Sequence, residues 1–341
     1  MTHPYADLPD YAFWRRAVSE ETDPIIEAPF RIAPTAAIAT AGSCFAQHIS
    51  RVLDESGYRY LVTETEGEGA GVFPARFGNI YSPRQLLQTF ERAYAVFRPV
   101  DRAWRRDDGA FVDPFRPRIQ PEGFPSAEAV EAARAGHFAA VREMFETCSV
   151  FIFTLGLTEA WVSTRDGAVF PLAPGVAGGE PGEGYAFHNF TVEEMAADLR
   201  AFVRKLRVVN QDVRVILTVS PVPLVATYEP RHVLVSTTYS KSALRVTADM
   251  VAASEPGVCY FPSYEIITGP QARGRYFAED LRTITPEGVE RVMGVFKRSF
   301  LGGSEEAPAA GRPEVALSEA ETAEFDALAE VVCDEEALDV G

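Results

Sequence analysis

The chain has 341 residues, of which 47% are hydrophobic and 24% charged, so it can bury a large core and lacks the composition of a disordered protein. Its 49 acidic and 32 basic residues give a formal net charge of −17 at pH 7. That charge would repel a phosphate backbone, so we expect no nucleic-acid partner.

Neither a signal peptide nor a membrane span is visible in the sequence. The N-terminal residues lack a basic start followed by an apolar run, and no stretch reaches the roughly 18 apolar residues that a spanning helix needs. We therefore expect a cytoplasmic protein with no membrane partner.

The four cysteines stand at positions 44, 148, 259 and 333, with no closely spaced pair of the kind that marks a zinc site or a disulfide framework. No histidine or acidic pair has metal-ligand spacing, and no glycine-rich nucleotide loop is present. We predict no metal, no cofactor and a reducing compartment.

Residues 1–34 are rich in proline and aromatic residues without a clear period, which predicts a lead-in segment lying across the core. From 35 to 302, apolar strands alternate with amphipathic helices. The predicted strands cover 36–45, 58–64, 149–159, 213–223 and 257–268. The predicted helices cover 45–56, 82–97, 127–147, 191–209, 240–254 and 285–301.

Continuous apolar strands between helices favour a parallel sheet covered on both faces. We predict an α/β fold: a three-layer αβα sandwich with a roughly five-stranded parallel sheet. Segments 98–126 and 160–190 are too irregular for crossovers, and the second contains a hairpin, so we interpret both as insertions over one end of the sheet. Residues 303–341 are predicted to be a flexible acidic tail with one possible helix.

Ligands of open α/β sheets bind beyond the carboxyl ends of the strands. Four predicted strands end there in small or polar residues, at 42–44, 156–159, 220–223 and 262–265. We expect the functional residues among these strand ends.

The first of these ends, Gly42-Ser43-Cys44-Phe45-Ala46, spells the motif of the bacterial GSCFA family, and the chain resembles that family over roughly residues 35–300. The family in turn looks like a branch of the SGNH (GDSL-like) hydrolases, whose fold is flavodoxin-like. Further similarities to the family lie at Asn79-Ile80-Tyr81-Ser82, Thr154-Leu155-Gly156, Ser220-Pro221-Val222-Pro223, Ser240-Lys241, Tyr260–Glu265 and Asp280-Leu281-Arg282.

This resemblance implies a nucleophile in the turn after the first strand. Aligning Gly42 with the glycine of a Gly-Asp-Ser block puts Cys44 at the nucleophile's position, with Ser43 one residue before it. Either side chain would stand near a helix N-terminus, which favours a thiolate or a developing alkoxide. The alternative is a tight turn and helix cap with a small buried cysteine.

For the oxyanion hole, the resemblance implies Gly78 and Asn79 from the second block and Thr158 at the place of the SGNH asparagine. Gly156 lies two residues before Thr158, at the end of the same predicted strand. Glu159, the next residue, is a carboxylate able to orient a histidine or the substrate. Backbone N–H groups of 44 and 78 with a side-chain donor would cradle a tetrahedral oxyanion. Asn79 has the alternative role of tying its own loop together.

For the base, Asp280 matches the final SGNH block, but Thr283 stands where the histidine belongs, and a threonine hydroxyl cannot shuttle protons near neutral pH. Among the five histidines, our candidates are His232, then His188, then His48, which lies one helical turn after Cys44. An ordinary structural role is the simpler interpretation of each. Surface ion pairs with Lys241, Arg245 or Arg282 are the simpler account of Glu159, Glu265 and Asp280.

The resemblance implies an esterase or acyltransferase acting on an ester or thioester, such as an O-acylated carbohydrate, through Ser43 or Cys44. The alternative is a non-catalytic glycan- or metabolite-binding protein that keeps the pocket and has lost the base. A third hypothesis is a scaffold whose acidic tail contacts a partner. The sequence leaves the oligomeric state open.

Overall fold

The computed structural model describes residues 3–67 and 70–301. The predicted tail at 303–341 lies outside these residues. In chain order the helices are α1 (Trp14–Ala17), α2 (Ala46–Glu55), α3 (Pro83–Ala93), α4 (Ala127–Thr147), α5 (Val192–Val209), α6 (Val233–Ser254), α7 (Ser263–Thr268) and α8 (Pro286–Phe300). The strands are β1 (Ile38–Gly42), β2 (Trp104–Arg105), β3 (Phe111–Val112), β4 (Val150–Leu155), β5 (Glu159–Ser163), β6 (Val169–Phe170), β7 (Tyr185–Asn189), β8 (Arg214–Val219) and β9 (Val258–Phe261).

A parallel sheet of order β1-β4-β8-β9 forms the centre of the fold. Gly42 pairs with Thr154, and Thr154 with Thr218, so the carboxyl ends of β1, β4 and β8 lie side by side. Nearly every residue of these three strands is buried, as expected for strands covered on both faces. This alignment brings the strand-end residues singled out in the sequence to one edge.

Two apolar clusters cover the two faces of the sheet. One packs α3, α4, α5 and α6 against β4 and β8, and the other packs α2, α7 and α8 against alternate residues of the same strands. Within β4, for instance, Phe151 and Phe153 belong to the first cluster and Ile152 to the second. The predicted three-layer αβα sandwich is therefore confirmed.

Two predicted strands differ in the structure. At 58–64 only Tyr60 bridges Ile38, so the sheet has four named strands rather than about five. The segment predicted as one strand at 257–268 is a strand to Phe261 followed by α7, and the change falls at Pro262, which has no N–H to continue a ladder.

Both predicted insertions form small antiparallel sheets. β2 pairs with β3, and β5 pairs with β6 and β7, so the hairpin expected at 160–170 is present. A third apolar cluster containing Trp104, Phe115 and Phe170 joins the two insertions. The two insertions together form one small unit, and the second insertion begins just after β4.

The segment before β1 packs against the second face of the sheet. Ile32 is buried and donates its N–H to the Phe300 carbonyl over 2.7 Å, and the rings of Phe30 and Phe300 meet edge to face. Among residues 3–67 and 70–301, no helix has the length and apolar character to cross a bilayer.

Candidate functional site

Gly42 brings the end of β1 unusually close to β4. Its φ is +146°, and a Cβ at this position would lie 2.4 Å from the Thr154 carbonyl oxygen. Only glycine fits such a close backbone approach. The next residue, Ser43, donates its N–H to the same carbonyl over 3.1 Å, which fixes the turn into α2.

The Ser43 side chain points into a narrow cleft at the carboxyl edge of the sheet. The cleft is lined by residues that follow β1, β4 and β8, by one residue just before α3 and by one residue of α6. They are Ser43, Cys44, Tyr81, Gly156, Leu157, Ser220, Val222, Pro223, Leu224 and Lys241. Its volume of about 10 Å³ is room for about one water molecule. No described residue hydrogen-bonds to the buried Ser43 Oγ, which costs roughly 1–3 kcal/mol unless a water or ligand fills the role.

Lys241 enters the cleft from α6. Its side chain is only 2% exposed, and its Nζ donates to the Gly156 carbonyl over 2.6 Å. The preceding residue, Ser240, accepts a hydrogen bond from the Thr158 N–H over 3.1 Å. Two consecutive residues of α6 thus hold the turn between β4 and β5, and Lys241 places the one charged side chain among the described residues that line the cleft.

The sequence pattern of the GSCFA family matches residues 37–296, which is 260 of the chain's 341 residues. The chain belongs to the GSCFA family. No curated protein matches the chain. The GSCFA motif is the β1–α2 turn that lines the cleft, as its position after the first strand predicted.

Within the GSCFA motif, Cys44 lines the cleft beside Ser43 and is 3% exposed. Its sulfur is disulfide-bonded, so in this state it carries no thiol proton. That bond differs from the expectation of reduced cysteines. Cys148 and Cys259 are free thiols, and burial raises the pKa of each to about 12.

Gly78 and Asn79, expected at the oxyanion hole, border a different space. Both line a second cavity of about 930 Å³ and neither lines the cleft. The Asn79 side-chain oxygen accepts from Gln47 Nε2 over 3.5 Å, and its carbonyl accepts from Gln85 Nε2 over 2.9 Å. These bonds hold the loop before α3, which is the alternative role considered for Asn79.

The residues after β4 have three different placements. Gly156 lines the cleft, but its N–H donates to the Tyr81 carbonyl over 2.8 Å. Thr158 is fully buried, outside the cleft, and none of the described residues bonds its Oγ1. Glu159 accepts from Thr227 Oγ1 and the Tyr228 N–H over 2.6 and 3.1 Å, so it anchors the loop before α6.

His48 lies on α2, one turn past the motif, and does not line the cleft. Its ring meets the Phe45 ring edge to face at 5.6 Å. Burial, and then the positive charge of Arg51, lowers the pKa of His48 to about 4. The side chain is therefore neutral at pH 7 and packed beside the core.

His188 and His232 are also outside the residues that line the cleft. His188, on β7, is 3.0 Å from a Glu194 carboxylate oxygen. His232 is the N-cap of α6, where its Nδ1 accepts from the Leu234 N–H over 3.1 Å. The loop that carries His232 thus contributes a helix cap.

Asp280 and Thr283 form a closed turn at the surface. Asp280 accepts from the Thr283 hydroxyl over 2.5 Å and from the Arg282 and Thr283 N–H groups over 2.9 Å. The bond from Thr283 is the main reason that the pKa of Asp280 lies below its ordinary value. Neither residue lines the cleft.

Lys241 was expected at the surface as a partner of a carboxylate, but it is buried in the cleft. The helical phase contained a signal for its burial: Lys241 lies three, seven and ten residues before Leu244, Ala248 and Val251, all of which are buried. Glu265, one of the three strand-end carboxylates, pairs with Arg245 at 2.5 Å. Across residues 3–67 and 70–301, no group of three or more histidine, cysteine or acidic side chains is arranged to hold a metal ion.

Proposed function

We propose that this GSCFA domain catalyses acyl transfer from an ester or thioester, as an SGNH-like esterase or acyltransferase, with Ser43 as nucleophile and Lys241 as base. The observation that carries the proposal is the shared cleft: a buried hydroxyl that no described residue bonds and a buried lysine amine line a space the size of one water. The strand-to-helix turn with its Gly-Ser-Cys sequence supports membership of the SGNH superfamily.

Serine–lysine pairs are one variant of the serine–histidine–aspartate arrangement. A buried lysine suits the role of base because loss of hydration favours the neutral amine over the ammonium ion. Ser43 Oγ and Lys241 Nζ do not hydrogen-bond directly, and one water fits the cleft between its walls. Proton transfer through one bridging water is within the reach of a general base.

In the first half-reaction, the neutral Lys241 amine accepts the Ser43 hydroxyl proton while Oγ bonds to the acyl carbon. The ammonium ion so formed is the positive charge that faces the tetrahedral oxyanion. As the carbon–leaving group bond breaks, the ammonium returns its proton to the departing alkoxide or thiolate, leaving an acyl ester on Ser43. Water or an alcohol then attacks this ester, with Lys241 again accepting and returning one proton, to release acid or new ester.

Between the two nucleophile candidates, we choose Ser43. Ser43 Oγ is buried in the cleft and no described residue bonds it, so the hydroxyl can attack a bound acyl carbon in either redox state of Cys44. The test is turnover of short p-nitrophenyl esters and thioesters by the wild-type chain, Ser43→Ala and Cys44→Ser. We expect loss of activity in the first variant and retention in the second. The reverse order of effects would assign the chemistry to Cys44.

The second candidate function is a non-catalytic glycan- or metabolite-binding protein. It is favoured by the histidine placement, because none of His48, His188 and His232 lines the cleft, and by Thr283, which lies at the place of the SGNH histidine. Ester turnover equal to that of buffer, together with ligand binding that Ser43→Ala leaves unchanged, would select this function.

We also propose that the protein works in the bacterial cytoplasm, on its resemblance to a bacterial family and its acidic composition. Disulfides are rare in the cytoplasm, so the redox state of Cys44 in the cell shows whether the protein is in a reducing or an oxidising compartment. Rapid alkylation of cell extracts, followed by mass spectrometry, should find Cys44 as an alkylated thiol. Protection of Cys44 until a reductant is added would argue for an oxidising compartment.

A further inference from the structure

A second cavity of about 930 Å³ is lined by residues other than those of the cleft, but the two linings come from neighbouring parts of the chain. Gln47 lines the cavity, and Ser43, one helical turn earlier, lines the cleft. Likewise Asn79 lines the cavity and Tyr81, two residues on, lines the cleft. Neighbouring residues of the same two segments thus face the two spaces, and the volume of the cavity falls in the range of small-ligand sites.

The charge of the cavity wall is opposite to that of the chain. Four arginines line it (Arg76, Arg106, Arg116 and Arg118) against two aspartates (Asp107 and Asp108), whereas the whole chain carries −17. Guanidinium groups match the geometry of carboxylate, phosphate and sulfate oxygens, which they bind through paired N–H donors. Arg106 pairs with Asp108 and Arg116 with Asp113, and arginines still outnumber acidic residues among those that line the cavity.

Several of these guanidinium groups are fixed in position. Arg116 is 4% exposed, and its Nε bonds the fully buried Asp113 over 3.0 Å. The Arg76 guanidinium donates to the Ile119 carbonyl over 2.6 Å, and that of Arg106 to the Pro121 carbonyl over 2.5 Å. A wall held in this way loses little conformational entropy when an anion binds.

The remainder of the cavity is apolar and amide-bearing. The rings of Phe73 and Phe77 lie 5.4 Å apart, and Phe115 contributes a third ring. Gln47 and Asn79 supply side-chain amides, which both donate to and accept from hydroxyl groups. This lining fits an acidic carbohydrate. The rings pack against apolar C–H faces, the amides bond hydroxyl groups and the arginines bind an oxyanion.

We propose that this cavity binds an acidic oligosaccharide, with its carboxylate, phosphate or sulfate against the arginines and its sugar rings against the phenylalanines. That this saccharide carries the acyl group presented to Ser43 rests on the proposed function. The binding itself does not, because it involves residues outside the cleft.

Isothermal titration of the full chain with a trigalacturonate, a phosphorylated trisaccharide, a sulfated trisaccharide and neutral maltotriose tests the proposal. We expect at least one acidic probe to bind at least about tenfold more tightly than maltotriose, and the preferred probe identifies the oxyanion. Arg118→Ala should weaken that binding about tenfold, and Asp107→Asn should tighten it. Arg298→Ala on α8, a surface arginine 57% exposed, is the matched control and should change nothing.

Equal affinity for acidic and neutral probes, no binding of any probe at millimolar concentration, or an effect of Arg298→Ala as large as that of Arg118→Ala would overturn the proposal. Comparing saccharide binding with ester turnover in the wild-type chain separates the two proposals, and Ser43→Ala should keep the binding and lose the turnover. A wild-type chain that binds the saccharide but turns over no ester leaves the cavity assignment standing and removes the proposed function. Turnover of small esters by a chain that does not bind the saccharide leaves the proposed function standing and removes the cavity assignment.

Discussion

Lys241 donates its Nζ to the carbonyl oxygen of Gly156 over 2.6 Å, inside the cleft that Ser43 lines. A Cβ at Gly156 would lie 3.1 Å from the Ser43 Cβ, so the Lys241 amine and the Ser43 side chain meet the same glycine. Gly156, in the β4–β5 turn, is thus a common neighbour of the two side chains that line the cleft.

Replacing Lys241 with methionine keeps the length of the side chain and removes the amine. We expect kcat for ester turnover to fall at least about a hundredfold, the usual contribution of a general base. Lys205→Met is the matched control. Lys205 lies on the surface of α5, is 38% exposed and pairs with Glu91 of α3. Thermal melts show whether Lys241→Met is folded. A folded variant with wild-type kcat would exclude Lys241 as the base.

Gly42→Ala tests the close approach of β1 to β4. The new methyl group would meet Thr154 at 2.4–2.8 Å in a backbone conformation that alanine rarely adopts, so we expect a loss of roughly 2 kcal/mol or more in the free energy of unfolding. Gly136→Ala in α4 is the control. Nothing lies within 4 Å of that position, and alanine there should add about 0.5–1 kcal/mol. Urea unfolding measures both, and equal effects would contradict the packing at Gly42.

Two imidazoles, the buried His137 and the partly buried His48, should make the fold sensitive to mild acid. Burial, with the charge of Arg51 for His48 and of Arg116 for His137, lowers both pKa values from 6.5 to about 4. Between these values the unfolded chain binds more protons than the folded one, so stability falls as pH drops from about 6.5 to 4. His137 is thus neutral at pH 7, and its 2.7 Å contact with Glu64 is a hydrogen bond rather than an ion pair.

The measurement is urea unfolding at pH 7, 5.5 and 4. His137→Gln should flatten the decline between pH 6.5 and 4 while lowering stability at pH 7, since the bond to Glu64 is weakened. A free energy of unfolding that does not change across this range would contradict the burial of the two rings. At still lower pH a further loss is expected, because Asp113, beside Arg116 and Arg134, has a pKa held well below its ordinary value despite its burial.

Leu224 lines the cleft, which holds about one water. A bulky acyl group therefore enters the cleft only if the 220–224 segment moves. Leu224→Ala should raise kcat/KM for butyrate relative to acetate esters several-fold, at a cost of about 2–3 kcal/mol in stability for a buried leucine. Leu234→Ala, at a leucine 67% exposed, is the control. An unchanged butyrate-to-acetate ratio would show that the cleft wall does not limit access.

Helices and buried strands were predictable because their signals are local. The 127–147 helix matches α4 residue for residue, and the helix predicted at 191–209 is α5, which opens on a Thr191–Glu194 capping box. The strand at 58–64 failed because pairing is decided by neighbours: only Tyr60 reaches Ile38. At 257–268 the apolar run was correct, but Pro262 ends the strand.

The site was predictable where the strand order alone positions a residue. Ser43, Cys44 and Gly156 follow β1 and β4, and they meet at the cleft. Lys241 lies in the middle of α6, and its contact with Gly156 spans 85 positions of the chain, which no local pattern encodes. The histidine candidates rested on side-chain chemistry without position, and the loops carry His188 and His232 to a β-strand and a helix cap instead.

Peptide mapping of the chain after reaction with an alkyl fluorophosphonate shows directly whether Ser43 is a nucleophile that Lys241 activates. We predict one phosphonate adduct, on Ser43, which forms far more slowly in Lys241→Met and at the wild-type rate in Lys205→Met. A wild-type chain that gains no adduct, or gains it on a residue outside the cleft, would contradict the account.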